Sequence, residues 1–323
     1  MENKILTISI AAYNVEKYIR NTLESLIVPE IFKDIEVLVI NDGSTDSTSL
    51  IAEEYMKKYS DVFILVNKEN AGYGSTINAS IKVARGKYFK QLDGDDWFDT
   101  ENLIDFVEFL KVCDADCIYS PYWEIYEQNG KKQLISVKKP VENRIGVNDI
   151  GMWALAFKTK IFVENRIEIT EKCFYTDTEY NLKPLFYVST IKYYNKPIYC
   201  YRLGVLGQSV SKEGWKNHYH DCQKVALIMM LYYLNTDAIK NDNKLEIEKY
   251  IIKMYRLAFL LALDIYDRTM QREYRRFNII VKKEFPYFYR KGNCKMFFLV
   301  LSQYKLWGAI RIFHVLFEKS IFL

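Results

Sequence analysis

Apolar and polar positions in the first third of the chain follow two alternating periodicities. Short apolar or β-branched runs predict four strands, at residues 5–12, 35–40, 62–66 and 87–92. The stretches between them have the spacing of amphipathic helices, at residues 16–28, 46–59 and 74–84. Strands that alternate with helices predict an α/β fold with a mostly parallel central sheet and flanking helices.

The pattern changes after about residue 115. Asn129-Gly130 separates two strand-like runs, which predicts a β-hairpin. A helix is predicted after Thr176, and a closing strand at residues 193–202. Beyond Lys212 the pattern is almost entirely helical, and only Pro286 interrupts it.

These patterns predict two parts. We expect a first domain at residues 1–212, whose halves are 1–120 and 121–212, and a mainly α-helical C-terminal region at 213–323. The charge is divided in the same way, because residues 211–323 carry 20 Lys and Arg against 11 Asp and Glu, whereas residues 1–210 carry 25 against 30. The basic C-terminal region is therefore expected to bind an anionic surface.

The basic residues of the C-terminal region are interleaved with apolar and aromatic runs, such as 296–301 and 307–317. This favours an anionic membrane surface or a partner protein over nucleic acid. Neither run reaches the roughly 20 apolar residues of a spanning helix, so a helix lying in the membrane interface is expected. A helical cap on the first domain and a homodimer interface remain alternatives.

The cysteines and the N-terminus predict a cytoplasmic location. The six cysteines form no C-x-x-C pair and lie in apolar segments, as reduced core residues do. The chain enters a strand pattern at once, without the apolar stretch of a secretory signal. Membrane binding by the basic region would place the protein peripherally on the inner face of the cell membrane.

The first polar motif is Asn41-Asp42-Gly43-Ser44, at the end of the second predicted strand. Ligands bind beside the carboxyl ends of strands in open parallel sheets, and a carboxylate there can accept hydrogen bonds from a nucleobase or a ribose. The alternative is a plain turn that caps the next helix, since Asp, Gly and Ser are the usual residues of such turns.

The second polar motif is Asp93-Gly94-Asp95-Asp96, which follows the fourth predicted strand. Three carboxylates in four residues repel one another unless a cation or hydrogen-bond donors hold them. Oxygen ligands suit Mn²⁺ or Mg²⁺, which in turn bind diphosphates. The alternative is a solvated acidic turn, which the position on the same sheet edge as Asp42 makes less favourable.

Four motifs in order resemble those of the family-2 glycosyltransferases: Ala11-Ala12-Tyr13-Asn14, residues 41–46, Asn70-Ala71-Gly72 and residues 93–96. The resemblance covers about residues 4–210. It implies a GT-A fold, in which a Rossmann-like half binds the nucleotide and the other half binds the acceptor. It also implies inverting transfer of a sugar from a nucleotide-sugar donor, with UDP favoured, to a glycan or a lipid-linked acceptor.

The resemblance implies roles for individual residues. Ala11, Tyr13 and Asp42 should line the base and ribose pocket. Asp93 should lie near the ribose and the metal. Asp95 should coordinate the Mn²⁺ or Mg²⁺ that binds the diphosphate, and Asp96 should support or share that metal.

The donor-binding motifs of the chain depart from the family pattern at two positions. Asn41 stands where the family often has Asp, and Ile77-Asn78 stands where it often has Arg-Asn. A donor contact expected from that Arg is missing, while Asn78 is retained among the donor-binding candidates. Lys68 is the candidate that could replace the missing positive charge.

The segment Thr176-Asp177-Thr178-Glu179 corresponds to the family's acidic pair, whose Asp is the catalytic base. The resemblance assigns that role to Asp177, with Glu179 as the rival, and either could instead serve only at the start of a helix. Similar family members close the donor site with a segment like the one that holds Arg202 and Gln208, and either residue is a candidate contact of the diphosphate. Trp153 is a candidate for stacking on an acceptor sugar, with core packing as the alternative.

Two rival functions stay open at the level of sequence. One is a non-catalytic nucleotide-sugar-binding protein, which the set of retained aspartates disfavours. The other is a sugar nucleotidyltransferase, which would release pyrophosphate. The Gln-x-x-Arg-Trp sequence of processive family members is absent, which favours the addition of one sugar per encounter.

Overall fold

The structure is a computed structural model, and it describes residues 4–136, 151–204, 212–236, 241–264 and 267–293. Contacts divide the described chain into two compact units. The first contains the described residues before position 208 together with 241–246, and the second contains 212–236 and 247–293. The domain boundary predicted near residue 212 stays a prediction, because residues 205–211 lie outside the described part.

Eleven strands lie in the described residues: β1 (Leu6–Ala12), β2 (Ile35–Asp42), β3 (Phe63–Lys68), β4 (Tyr88–Asp93), β5 (Trp97–Phe98), β6 (Cys117–Tyr119), β7 (Tyr122–Tyr126), β8 (Lys131–Ile135), β9 (Leu155–Lys158), β10 (Ile191–Tyr193) and β11 (Tyr199–Leu203). Seven of them form the main sheet, in the order β10-β6-β9-β4-β1-β2-β3. The other four form a small sheet, in the order β5-β11-β7-β8. Both sheets belong to the first unit.

Strands β1 to β4 are the four strands predicted from the sequence, with ends that differ by one or two residues. They pair in parallel, with β1 between β2 and β4 and with β3 beside β2. Every residue of β2 is buried, as expected for a strand covered on both faces. The predicted α/β fold with a mostly parallel sheet is confirmed.

Strand β9 was not predicted. It runs antiparallel between β4 and β6, far from both in sequence. The predicted hairpin at Asn129-Gly130 is confirmed, since β7 and β8 pair antiparallel around it. The predicted closing strand is split in two, because β10 ends at Tyr193 and β11 begins at Tyr199 in the other sheet. Pro197, which lacks a backbone donor, lies in the interruption.

The helices of the first unit are α1 (Ile19–Glu24), α2 (Thr48–Lys58), α3 (Tyr73–Val83), α4 (Thr100–Val112), α5 (Thr159–Glu164) and α6 (Thr176–Leu182). The three predicted helices correspond to α1, α2 and α3, and the helix predicted after Thr176 corresponds to α6. Helix α1 ends earlier than predicted, because Pro29 opens a separate 3-10 turn. The residue before a proline is disfavoured in helical conformation, and Val28 lies outside the helical region, at φ −128° and ψ 89°.

The C-terminal region is helical wherever it is described, as predicted. Its helices are α7 (Lys212–Asn217), α8 (Tyr219–Asn235), α9 (Asn241–Asp264), α10 (Arg268–Glu284) and α11 (Pro286–Asn293). Pro286 begins α11, at a position where its missing N–H costs no hydrogen bond. Tyr219, Tyr255 and Tyr274 are fully buried in the second unit. None of the described helices combines the length and the hydrophobicity needed to cross a bilayer.

The cysteines of the described chain are buried, as predicted, and form no disulfide with one another: Cys113, Cys117, Cys173, Cys200 and Cys222. The sixth, Cys294, lies outside the described residues, as do the apolar runs at 296–301 and 307–317. The predicted interface helix in that segment therefore stays a prediction.

Candidate functional site

The carboxyl ends of β1 to β4 meet at one edge of the main sheet. Ala11 of β1 is in register with Asp93 of β4, and Asp42 of β2 is in register with Lys68 of β3. Tyr13 follows directly after β1 and is 51% exposed. The edge therefore brings together five of the residues selected from the sequence, as the parallel pattern predicts.

Asp42 uses its carboxylate to hold the loop before α3. The backbone N–H groups of Ala71 and Gly72 donate to its two oxygens over 3.0 and 2.9 Å. Lys68 donates to the same carboxylate over 2.5 Å, and Ser75 Oγ lies 3.3 Å from it. Because only 3% of Asp42 is exposed, its direct effect is to fix this loop beside the sheet edge.

Lys68 is fully engaged within the same network. Its ammonium donates to Asp42, to the carbonyl oxygen of Glu69 over 2.6 Å and to Ser75 Oγ over 2.8 Å. These three acceptors match the three hydrogens of the ammonium. To contact the nucleotide-sugar in place of the missing Arg, Lys68 would have to give up at least one of these three hydrogen bonds.

Asp93, Asp95 and Asp96 form a compact acidic cluster at this edge. Their carboxylates each offer an oxygen within 4.8 Å of the others. Burial raises the pKa of all three above the ordinary value, and the charge of Asp95 raises those of Asp93 and Asp96 further. Clustered carboxylates that repel one another in a buried place fit a hard divalent cation such as Mn²⁺ or Mg²⁺.

Two tyrosines orient the cluster. Tyr73, the first residue of α3, donates its hydroxyl to Oδ1 of Asp93 over 2.5 Å. Tyr199 of β11 donates to Oδ2 of Asp96 over 2.6 Å, and the backbone N–H of Arg202 donates to Oδ1 of Asp96 over 2.7 Å. Both oxygens of Asp96 thus have protein partners, and Asp96 is the most buried member of the cluster.

The side chain of Arg202 clamps the turn that carries the cluster. Its guanidinium stacks between the rings of Tyr18 and Trp97, 4.9 and 4.7 Å from their centres. Nε donates to the carbonyl oxygen of Asp95 over 2.8 Å, and Nη1 donates to Glu127 over 2.7 Å. The sequence predicts a diphosphate contact for Arg202, whereas the structure places it against the backbone of Asp95.

The loop before α6 is docked on the start of α3. A Cβ on Gly74 would lie 2.2 Å from the carbonyl oxygen of Thr170, so only glycine permits this approach. Asn78 donates to the carbonyl oxygen of Ile169 over 2.8 Å and accepts from its N–H over 2.9 Å. Asn78, a predicted donor-binding residue, therefore holds the segment that leads to Asp177.

Asp177 lies in the first turn of α6 and is half-buried. Burial raises its pKa above the ordinary value of a carboxyl group. After burial and the charge of Asp95, the charge of Asp177 also raises the pKa of Asp93. The structure thus brings the predicted base to the acidic cluster although 84 residues separate Asp93 and Asp177 in the sequence.

The rival base, Glu179, has a different environment. It is fully buried, and its carboxylate pairs with Lys183 over 2.6 Å and accepts from the N–H of Thr170 over 3.2 Å. An acceptor hydroxyl has no access to a carboxylate that is fully enclosed by protein. The geometry therefore favours Asp177 over Glu179 for proton transfer.

Trp153 belongs to an aromatic cluster of the first unit. Its ring stacks on Tyr201, with centres 4.5 Å apart, and meets Tyr122 edge to face at 5.6 Å. Its carbonyl oxygen accepts from the buried Lys90 over 2.6 Å. Trp153 therefore has the packing that the alternative interpretation expects, while its predicted contact with an acceptor stays a prediction. Gln208 lies outside the described residues.

Tyr73 and Tyr199 are site residues that were not predicted from the sequence. Tyr73 directly follows the Asn70-Ala71-Gly72 motif, and that adjacency is a signal that could have identified it. Tyr199 gives no comparable signal, because its role depends on the position of β11 in the small sheet.

Comparison with known proteins identifies the family. The model of the family described as Glycosyl transferase family 2 matches residues 7–173. The chain belongs to glycosyl transferase family 2. The matched residues include the sheet edge and the acidic cluster, and they end at Cys173, before α6. The chain is therefore a nucleotide-sugar glycosyltransferase.

Individual relatives agree with this family membership. The chain is 27% identical over 261 residues to EpsH of Bacillus subtilis (strain 168), covering 76% of this chain and 72% of EpsH. It is 32% identical over 168 residues to the poly(ribitol-phosphate) beta-glucosyltransferase of Bacillus spizizenii, covering 50% of this chain and 26% of that protein.

A solved structure confirms the GT-A fold of this family 2 member. Residues 1–349 of S. aureus TarS, in complex with UDP-GlcNAc, superpose with a TM-score of 0.59 at 21% sequence identity. The match covers 90% of this chain and 79% of the TarS chain. At this identity the likeness concerns the fold alone.

Proposed function

We propose that the chain is an inverting, divalent-metal-dependent glycosyltransferase that moves a sugar from a UDP-sugar to a hydroxyl of a glycan or lipid-linked acceptor in bacterial polysaccharide assembly. The observation that carries the proposal is the acidic cluster of Asp93, Asp95 and Asp96 beside the raised-pKa carboxylate of Asp177. The relatives support the acceptor class, since one is named for glucosylation of poly(ribitol-phosphate). The choice of a UDP-sugar as the donor is based on TarS, whose structure contains UDP-GlcNAc.

The roles of the cluster follow from its hydrogen bonds. We assign direct metal coordination to Asp95 and to the oxygen of Asp93 that does not accept from Tyr73. Asp96 is assigned a supporting role, because Tyr199 and Arg202 already donate to both of its oxygens. A divalent cation held there would supply positive charge to the diphosphate as it departs.

The reaction is a single displacement at the anomeric carbon. The acceptor oxygen forms a bond to this carbon while the bond to the diphosphate oxygen breaks, and UDP leaves with that electron pair. Asp177 accepts the hydroxyl proton of the acceptor, for which its raised pKa makes it a stronger base than an exposed aspartate. A donor with an α-linked sugar then yields a β-linked product.

Donor binding is assigned to the sheet edge, with Ala11, Tyr13 and the Asp42 loop around the base and ribose. The half-exposed ring of Tyr13 offers a surface for the nucleobase. The proposal is tested by incubating the purified protein with Mn²⁺ and individual UDP-sugars and measuring the release of UDP. Release that depends on Mn²⁺ and on Asp95 supports it, and release of pyrophosphate contradicts it.

A further inference from the structure

Helix α10 of the second unit has one buried apolar face. Met270, Tyr274, Phe277 and Val281 are buried, at the spacing of three to four residues that places them on one side of a helix. The opposite side carries six basic residues, which we call the cationic stripe: Arg268, Arg272, Arg276, Lys282 and Lys283 are exposed, and Arg275 is half-buried. The 17 residues of α10 extend this stripe over about 25 Å.

Two isoleucines lie within the cationic stripe. Ile279 is 64% exposed and Ile280 is 44% exposed. At 3.6 residues per turn, Ile279 shares its side of the helix with Arg272, Arg275 and Lys283, which are seven, four and four residues away. Ile279 thus adds an exposed apolar side chain to a basic surface, a combination that suits a contact surface that is both anionic and partly apolar.

Acidic side chains compensate little of this charge. Glu273 lies at the border of the stripe, 3.6 Å from Arg276 and 4.0 Å from His220. Glu284 ends the helix and lies 3.1 Å from Lys283. Six basic residues against these two carboxylates leave α10 with a net positive charge of four at neutral pH.

We propose that the cationic stripe of α10 binds the surface of an anionic phospholipid membrane. The basic side chains match the lipid phosphates, and Ile279 and Ile280 reach the boundary between headgroups and acyl chains. Nucleic acid offers the same charge but no apolar layer for the isoleucines. Since the apolar face of α10 is buried within the second unit, the helix binds through its charges and binding is reversed by salt.

This surface is separate from the chemistry at the sheet edge. It predicts that charge removal on α10 leaves UDP release from a UDP-sugar unchanged, because no stripe residue belongs to the acidic cluster or to the donor edge. A failed membrane test therefore leaves the proposed transferase reaction intact. If the proposed lipid-linked acceptor is correct, membrane binding places enzyme and acceptor on one surface.

The test is flotation of the full chain with phosphatidylcholine vesicles, compared with vesicles of equal parts phosphatidylcholine and phosphatidylglycerol, at low and high salt. The decisive variant replaces Arg272, Arg276 and Lys283 with Gln. The matched control replaces three exposed lysines of α8 and α9, Lys224, Lys249 and Lys253, with Gln. A further variant changes Arg272 and Arg276 to Lys, and another changes Ile279→Ser.

We expect the wild type to float only with the anionic vesicles and only at low salt. The stripe variant should lose at least roughly tenfold in partition, while the control and the Arg→Lys variant keep most of it. Ile279→Ser should weaken binding without changing its salt dependence. Failure of the wild type to bind overturns the proposal. So does equal loss in the control, unchanged binding by the stripe variant, or tighter binding to duplex DNA than to vesicles.

Discussion

The hydroxyl of Tyr199 donates to Asp96 over 2.6 Å and links the small sheet to the acidic turn. Tyr199 is fully buried, and the same hydroxyl accepts from the backbone N–H of Asp93 over 3.2 Å. One side chain of β11 thereby fixes two members of the cluster at once. The position of the proposed metal site consequently depends on a residue 103 positions from Asp96 in the sequence.

Tyr199→Phe removes this link while it keeps the ring in the core. We expect the concentration of Mn²⁺ for half-maximal UDP release to rise roughly tenfold, as for loss of other groups that orient metal ligands. Stability should fall by about 1–3 kcal/mol, because Asp96 loses a buried donor. Tyr126→Phe, which removes a hydrogen bond to Glu124 in the small sheet, is the control. An unchanged Mn²⁺ requirement would contradict the assigned role.

Asp95→Asn should leave the fold intact and remove most turnover, because the departing diphosphate would lose its cation. The control is Asp61→Asn, the same substitution at an exposed position, which should leave turnover and its Mn²⁺ dependence unchanged. The measurement is UDP release across a Mn²⁺ titration, with thermal unfolding to confirm folding. Near-normal turnover with the same metal dependence would refute the assignment of Asp95.

Asp177→Asn keeps the size of the side chain but removes the proton acceptor. Turnover should fall by roughly 10²–10⁴-fold, the usual effect of losing a general base. Binding of the UDP-sugar, measured by calorimetry with Mn²⁺, should stay within a few-fold of the wild type. A variant that turns over normally would exclude Asp177 as the base.

Glu179→Gln tests the rival carboxylate through a different property. Lys183 would be left buried without its charged partner, which costs about 3–5 kcal/mol of stability. We expect a marked drop in unfolding temperature, with the folded fraction keeping its turnover. Loss of turnover without loss of stability would instead identify Glu179 as the base.

The pH dependence of turnover follows from the raised pKa of Asp177. Only the ionised carboxylate accepts a proton, so kcat/KM at saturating Mn²⁺ should fall as the pH is lowered through this pKa. The ordinary pKa of an aspartate is about 3.9, and the fall in kcat/KM should begin at a higher pH than this value implies. Since ionisation is costlier in the folded state, Asp177→Asn should unfold at or above the wild-type temperature at neutral pH. If kcat/KM of Asp177→Asn still falls at low pH as it does in the wild type, another group is responsible for that fall.

Local pattern was sufficient to predict β1 to β4 and the edge that they form. Alternating strand and helix periodicity requires parallel pairing, which places Asp42 and Asp93 on one side of the sheet. The hairpin at Asn129-Gly130 was predicted equally directly from its turn residues. These features depend on neighbours in the sequence.

The remaining features depend on contacts between distant segments. The insertion of β9 between β4 and β6 leaves no periodic signal, since β6 has only three residues and β9 only four. The sequence showed Arg202 beside a donor-closing segment, but its place between Tyr18 and Trp97 is set by the tertiary fold. The buried ion pair of Glu179 with Lys183 likewise depends on the tertiary fold.

The most direct test of the central claim is UDP release by the full chain in the presence of Mn²⁺, followed over a panel of UDP-sugars. The proposed function predicts that at least one UDP-sugar yields UDP at a rate that EDTA abolishes, that added Mn²⁺ restores, and that Asp95→Asn lacks. Turnover that persists in EDTA, release of pyrophosphate, or equal rates in wild type and Asp95→Asn would contradict it.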